Sequence, residues 1–121
     1  QQWVVKQARA GALPFSPETV GSHWSRRVQV DVVAINRKTR NILLGECKWG
    51  ERPVAQAVVR ELIERKGPRV KLDLPQEGEG WFLHYAFFSR SGFTRAAEKE
   101  LSAKEAIVVD LPSLDSALAD N

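Results

Sequence analysis

Three residues whose side chains could together hydrolyse a substrate lie close in the sequence: Asp31, Glu46 and Lys48. Each lies in a segment of otherwise apolar, strand-forming residues, where burying a charged side chain is costly. Two neighbouring carboxylates repel each other unless a cation lies between them, and oxygen ligands suit Mg²⁺ or Mn²⁺. The residue types therefore predict a metal site with a lysine beside it.

Such a site is suited to the hydrolysis of a phosphodiester bond. A bound divalent cation lowers the pKa of a water molecule and stabilises negative charge that develops on a phosphate. Lys48 would orient or deprotonate the attacking water and counter the charge of the pentavalent phosphorus. We therefore expect Asp31, Glu46 and Lys48 to be the catalytic residues.

Two predicted strands must position these side chains. Residues 28–36 alternate in polarity, and a second strand over residues 42–49 follows the polar turn "RKTRN". Alternation along the second strand places Glu46 and Lys48 on one face and Cys47 on the other, where Cys47 is expected to be a small core residue. If the strands pair as a hairpin, Asp31 converges on the same place.

The rest of the chain alternates between helical and strand patterns, which predicts an α/β fold. The predicted helices begin near Trp3, after Pro53 and at Thr94, and the second of them is expected to end at the "GP" pair that starts with Gly67. A loop over residues 73–80 precedes an apolar, central strand over residues 81–89, and a short strand over residues 106–109 comes last.

The amino-acid composition limits the classes of protein to which this chain can belong. The 121 residues are 43% hydrophobic and 27% charged, which is typical of one compact globular domain. The apolar runs are too short and too often broken by charge to span a membrane, and no signal-peptide pattern is present. A single cysteine indicates no oxidising compartment, so a cytoplasmic location is expected. The chain starts at Gln1 and contains no methionine, which indicates a piece of a longer protein.

Charge is distributed unevenly along the chain. Residues 1–71 contain 14 Lys and Arg against 6 Asp and Glu, whereas residues 72–121 contain 4 against 9. The basic half carries the candidate site and indicates an anionic partner such as DNA. Trp24, Arg26 and Arg27 are candidates for base stacking and phosphate contacts, although Trp24 would equally serve to pack against the sheet.

The order of these residues resembles that of the PD-(D/E)xK superfamily of restriction-endonuclease-like nucleases. More narrowly, "VDVVAI", "LLGECKWG" and "FFSRSGFT" resemble the nuclease-like domain at the C-terminus of prokaryotic DEXX-box or AAA-type ATPases, over residues 21–101. The resemblance implies a restriction-endonuclease-like core with a mixed four- to five-stranded sheet flanked by helices. It also implies that Asp31, Glu46 and the Cys47 carbonyl bind Mg²⁺ or Mn²⁺, and that Lys48 is the catalytic lysine.

The same resemblance suggests the context in which the domain acts. Residues 1–121 would form one nuclease-like domain attached to an N-terminal ATPase module, with DNA as substrate and no membrane association. Ser89 and Arg90 would meet a phosphate at a strand-to-helix junction; the alternative is a plain turn that depends on Gly92 and places Phe93 in the core. Cutting both strands of DNA needs two sites, which is compatible with a homodimer.

The sequence departs from the superfamily pattern on the first helix, where many members carry an additional Glu. Here that segment offers Gln1 and Gln2, and the acid nearest before Asp31 is Glu18. Three interpretations therefore stay open: a metal-dependent deoxyribonuclease, a nuclease-fold module that binds DNA or regulates an ATPase without cutting, and a protein-interaction domain. In the third, Lys48 merely pairs with Asp31 or Glu46.

Overall fold

The structure is a computed structural model that describes residues 15–21 and 28–110. Its strands form one mixed five-stranded sheet in the order β1-β2-β3-β4-β5. The strands are β1 (Thr19–Gly21), β2 (Val32–Asn36), β3 (Asn41–Lys48), β4 (Phe82–Ser89) and β5 (Ile107–Asp110). The pairs β1/β2 and β2/β3 are antiparallel, and β3/β4 and β4/β5 are parallel. The predicted α/β fold with a mixed sheet is confirmed.

The β2–β3 hairpin has the register that its turn requires. Asn36 pairs with Asn41, and the Asn36 side-chain oxygen accepts hydrogen bonds at 3.0 Å from the backbone N–H groups of Lys38 and Thr39. These bonds replace the ladder at the turn and hold it closed. The predicted first strand is shorter than expected, because β2 begins at Val32, although Val30 before it is fully buried.

Strand β1 was not predicted. It has three residues, lies directly after a proline-containing stretch and is too short to show an alternating pattern. It pairs with β2 so that Val20 lies opposite Ala34. Only this pairing reveals it as a strand.

The prediction that the helix after Pro53 ends at Gly67 is wrong. The helical segment runs through α1 (Gln56–Arg60), a π-helical stretch (Glu61–Lys66) and α2 (Gly67–Asp73). Gly67 has helical angles (φ −55°, ψ −53°), and its N–H donates to the Leu62 carbonyl five residues earlier. Pro68 lacks an N–H and crowds the carbonyl of the preceding turn, and the wider π-helical turn accommodates it.

Helix α3 (Arg95–Ala103) begins as predicted at Thr94, whose side-chain oxygen accepts a hydrogen bond from the Ala97 N–H at 3.1 Å. Its Glu100 accepts hydrogen bonds from Arg60 Nε at 2.8 Å and Gln56 Nε2 at 3.2 Å. These contacts join α1 and α3, which both pack against the same face of the sheet.

The core divides into two clusters on opposite sheet faces. The helix-covered cluster combines strand residues with helix residues, among them Ile35, Ile42, Leu44, Phe87, Val59, Leu62, Val70 and Leu101. The other cluster contains Val32, Ala34, Leu43, Ala86, Phe88 and Val109. Because side chains alternate along β3, Glu46 continues the face of Ile42 and Leu44 and lies under the helices. The helices in the described part of the chain all lack the length and apolar character of a membrane-spanning helix.

Candidate active site

The two predicted metal ligands lie together at one end of the β2–β3 hairpin. Val32 pairs with Gly45, so the same register places Asp31, directly before β2, opposite Glu46. Alternation puts both side chains on the face that carries Val33 and Leu44 in the helix-covered cluster. The structure therefore brings these two carboxylates together, as the hairpin predicts.

Asp31 is exposed, and its carboxylate is anchored to the backbone of the neighbouring strand. The Cys47 N–H donates to Asp31 Oδ2 at 2.8 Å. In a strand, the N–H and carbonyl of one residue point towards the same neighbour, so the Cys47 carbonyl points to the side on which Asp31 lies. The Cys47 side chain faces the opposite cluster, as the alternation predicts, but it is only partly buried and lies at the margin of the core.

Glu46 is almost completely buried, with 5% of its surface exposed. Its Oε1 forms an ion pair at 2.5 Å with Lys66 Nζ, whose side chain is 27% exposed. Burial raises the pKa of the Glu46 carboxyl, the hydrogen bond from Lys66 lowers it, and the nearby Asp31 carboxylate raises it again. Burial has the largest effect, so the pKa of the Glu46 carboxyl lies above its ordinary value.

Lys66 was not foreseen as part of the site. It lies on one stripe of the helical segment with Val59, Leu62 and Val70, and the four residues are spaced three or four positions apart. The three apolar members of the stripe are fully buried. A lysine within an apolar stripe is the signal that sequence reasoning could have used. Its partner lies 20 residues earlier on another element, which no local pattern indicates.

Lys48 occupies the exposed end of β3. Its carbonyl accepts a hydrogen bond from the Arg90 N–H at 3.0 Å, whereas its side chain forms no hydrogen bond or ion pair within residues 15–21 and 28–110. Lys48 lines a cleft of about 560 Å³ together with residues 50–55 and Val58. Its ammonium is therefore accessible to a ligand, and the ion pair with Glu46 is made by Lys66 instead.

The junction between β4 and α3 is a turn that depends on Gly92, which is the alternative to a phosphate site. Ser89 is 2% exposed and its hydroxyl donates to the Gly92 carbonyl at 2.7 Å, while Gly92 has a φ of +81° and Phe93 packs against the core. Arg90 is exposed and its backbone lies beside Lys48. The Ser89 hydroxyl is occupied within the turn, whereas Arg90 is accessible.

Replacing Ser89 with alanine is expected to lower the free energy of unfolding by about 1 kcal/mol, because the hydrogen bond from its buried hydroxyl to the Gly92 carbonyl is lost, although the Val54 N–H still donates to that carbonyl. Urea unfolding followed by circular dichroism would measure the change. The exposed Ser102 on α3 offers a matched control, for which Ser102→Ala should cause no loss. Equal behaviour of the two variants would contradict a structural role for the Ser89 hydroxyl.

The remaining predicted residues divide into two groups. Trp24, Arg26 and Arg27 lie outside the described residues, as does the predicted first helix with Gln1 and Gln2. Glu18 is described, and its carboxylate accepts a hydrogen bond from the Arg37 N–H. Arg37 follows the far end of β2, about 20 Å from Asp31 at ~3.3 Å per residue, so Glu18 is not a third acid of the site.

The oxygen atoms at this site fit a Mg²⁺ or Mn²⁺ ion that has few protein ligands and keeps several water molecules. No group of three or more His, Cys, Asp or Glu side chains with metal-binding geometry occurs in the described part of the chain. Mg²⁺ commonly binds through one or two carboxylates and keeps several waters, however, and Asp31, Glu46 and the Cys47 carbonyl suffice for that.

A solved structure of a nuclease shares the fold of this chain. The structure is similar to the crystal structure of a repair endonuclease from Pyrococcus abyssi, with a TM-score of 0.56 and 19% sequence identity. The match covers 91% of this chain and 44% of that protein, so the chain spans less than half of its structural relative. At this identity the likeness concerns the fold.

The chain belongs to the family DUF234, described as archaea bacterial proteins of unknown function, whose model matches residues 1–66. That range contains all three predicted catalytic residues and ends at Lys66. A comparison with curated protein sequences finds no match.

Proposed function

We propose that this chain is a metal-dependent endodeoxyribonuclease domain of the PD-(D/E)xK type. The observation that carries the proposal is the convergence of Asp31 and the buried Glu46 at the end of a hairpin, with Lys48 two residues further along the same strand. The nuclease-like fold is consistent with it.

Each residue has a role that follows from its position. Asp31, Glu46 and the Cys47 carbonyl would hold Mg²⁺ or Mn²⁺, which when bound supplies an acidified water and neutralises phosphate charge. The Cys47 N–H orients Asp31, and burial holds Glu46 in one place. Lys48 is accessible enough to orient the attacking water and to stabilise the developing negative charge.

The cleft beside Lys48 is suited to a polyanionic backbone. Its charged lining residues are Lys48, Arg52 and Glu51, which leaves an excess of positive charge, and Arg90 is exposed nearby. Basic side chains bind the phosphates of DNA without regard to sequence. Trp24, Arg26 and Arg27 are proposed to extend this surface from the segment before β2, with Ser89 supporting Arg90 through the turn.

The wider context is part of the same proposal. We expect residues 1–121 to form a single nuclease-like domain of a longer cytoplasmic protein that carries an N-terminal ATPase module. A homodimer would provide one active site for each DNA strand. Determining the mass of the full-length protein in solution, with and without duplex DNA, would test the dimer.

Metal removal tests the proposed activity. Labelled linear duplex, single-stranded and branched DNA should be cut in the presence of Mg²⁺ or Mn²⁺, and EDTA should abolish cutting until excess Mg²⁺ is restored. An Asp31→Asn variant purified in parallel controls for contaminating nucleases, because it retains the shape of the site but loses a charged ligand. Cutting that persists in EDTA would contradict the proposed mechanism.

A second candidate function is a nuclease-fold module that binds DNA or regulates the ATPase without cutting. Two observations favour it: Glu46 already has a counter-ion in Lys66, and the described residues supply no third acid to the site. It would be indicated by salt-sensitive DNA binding without cleavage under any metal condition.

A further inference from the structure

The Lys66–Glu46 ion pair lies where the proposed metal would have to bind. The Lys66 ammonium is 2.5 Å from Glu46 Oε1, and the Glu46 side chain is only 6% exposed, so solvent reaches little of this carboxylate. An ammonium and a divalent cation repel each other strongly at such short separations in a partly buried site. Glu46 therefore cannot serve both cations equally well.

We propose that Lys66 is an internal competitor of the divalent cation: its ammonium neutralises Glu46 while no metal is bound and withdraws when the metal binds. This inference rests on the proposed function, since it takes Glu46 as a metal ligand. Lys66 is thus a positioning residue that determines the metal affinity through Glu46. It is distinct from Lys48, whose ammonium is accessible and makes no ion pair with the described residues.

The charges of the site support this competition. Asp31, Glu46 and Lys66 together carry a formal charge of −1, whereas the two carboxylates alone carry −2, which one divalent cation neutralises. Removing the ammonium therefore favours the metal, and adding the metal disfavours the ammonium. A similar ion pair on a fully exposed surface would be screened by water and salt, but Glu46 is buried.

The helix geometry explains how Lys66 can both reach and leave Glu46. Lys66 is the last residue of the π-helical stretch, and the next residue, Gly67, lies so close to Tyr85 that a Cβ would come 2.4 Å from the Tyr85 hydroxyl oxygen. The backbone at Lys66 is therefore held close to the sheet. The Lys66 side chain remains 27% exposed, so its flexible stem can swing the ammonium into solvent without helix movement.

The test is the affinity for Mn²⁺, measured by electron paramagnetic resonance titration of the 121-residue chain. Lys66→Met is expected to bind Mn²⁺ at least about tenfold more tightly than the wild type, because the competing charge is gone. Lys66→Arg should restore the wild-type affinity, since it keeps the charge. Lys99→Met removes an exposed lysine on α3 and should change nothing.

Each other result has a definite meaning. Equal or weaker Mn²⁺ binding by Lys66→Met, with wild-type binding that Asp31→Asn abolishes, overturns the competition and leaves the metal site intact. Absence of Mn²⁺ binding in every variant overturns the competition together with the proposed metal site. Lys66→Gln, which can still donate a hydrogen bond to Glu46, gives the same comparison if Lys66→Met does not fold, as checked by circular dichroism.

Discussion

The Lys48→Ala variant is expected to cut DNA roughly 10²–10⁴-fold more slowly than the wild type, the range found when a group that orients or deprotonates the nucleophile is removed. The Lys48 ammonium is exposed beside the cleft and forms no ion pair with the described residues, so it is available to the attacking water and the phosphate. Its removal takes away charge stabilisation that matters most in the transition state. Single-turnover cleavage of labelled duplex DNA at saturating Mg²⁺ would measure the loss.

Two controls make this result specific. Lys38 is an equally exposed lysine in the turn at the other end of the hairpin, and Lys38→Ala should retain the wild-type rate. Mn²⁺ affinity should change far less in Lys48→Ala than in Lys66→Met, because the Lys48 ammonium is exposed to solvent and does not pair with Glu46. A Lys48→Ala variant that cuts at the wild-type rate would show that another group, with Lys66 the first to examine, orients the water.

The Gly67→Ala variant is expected to lower the free energy of unfolding by about 1–3 kcal/mol, the usual cost of inserting a methyl group into a packed site. Its Cβ would lie 2.4 Å from the Tyr85 hydroxyl oxygen and 3.0 Å from Tyr85 Cε1, so the helix or the ring must move. Pro68 adds a second cost, because the Cδ of a proline crowds the Cβ of a preceding residue with helical angles, and glycine has no Cβ. The preference of helices for alanine over glycine, roughly 0.5–1 kcal/mol at ordinary positions, is outweighed by the contacts with Tyr85 and Pro68.

A second substitution distinguishes the clash from other effects. In a Tyr85→Phe background, where the nearest oxygen is removed, Gly67→Ala should cost clearly less than in the wild type. Gly21→Ala in β1 provides the control, since a Cβ at Gly21 meets nothing within 4 Å. Urea unfolding of all variants measures the effects. A neutral or stabilising Gly67→Ala in the wild-type background would show that the helix does not approach Tyr85 this closely.

The two predictions concern one arrangement. Gly67 permits the helix to lie against Tyr85, and this position places the preceding Lys66 within reach of Glu46 on β3. Lys48 is left accessible because Glu46 already has a partner. Packing at Gly67 is therefore expected to influence the site through Lys66, and Gly67→Ala should also change the Mn²⁺ affinity.

Local patterns in the sequence were sufficient for the elements that carry the site. Alternation over β3 places Glu46 and Lys48 on one face and Cys47 on the other, because strand geometry depends on adjacent residues alone. The hairpin followed from a polar turn between two apolar runs, and the start of α3 from the capping residue Thr94. These features need no knowledge of distant residues.

Tertiary structure decided the partner of Glu46 and the path of the helix above it. The "GP" pair at Gly67 normally ends a helix, but burial of Leu62 and Val70 against the sheet holds the segment helical on both sides, and a π-helical turn accommodates Pro68. The same packing brings Lys66 to a carboxylate 20 residues away. Such a contact arises only when a helix is laid across a sheet, because its energy comes from burial between elements and not from the propensities of either.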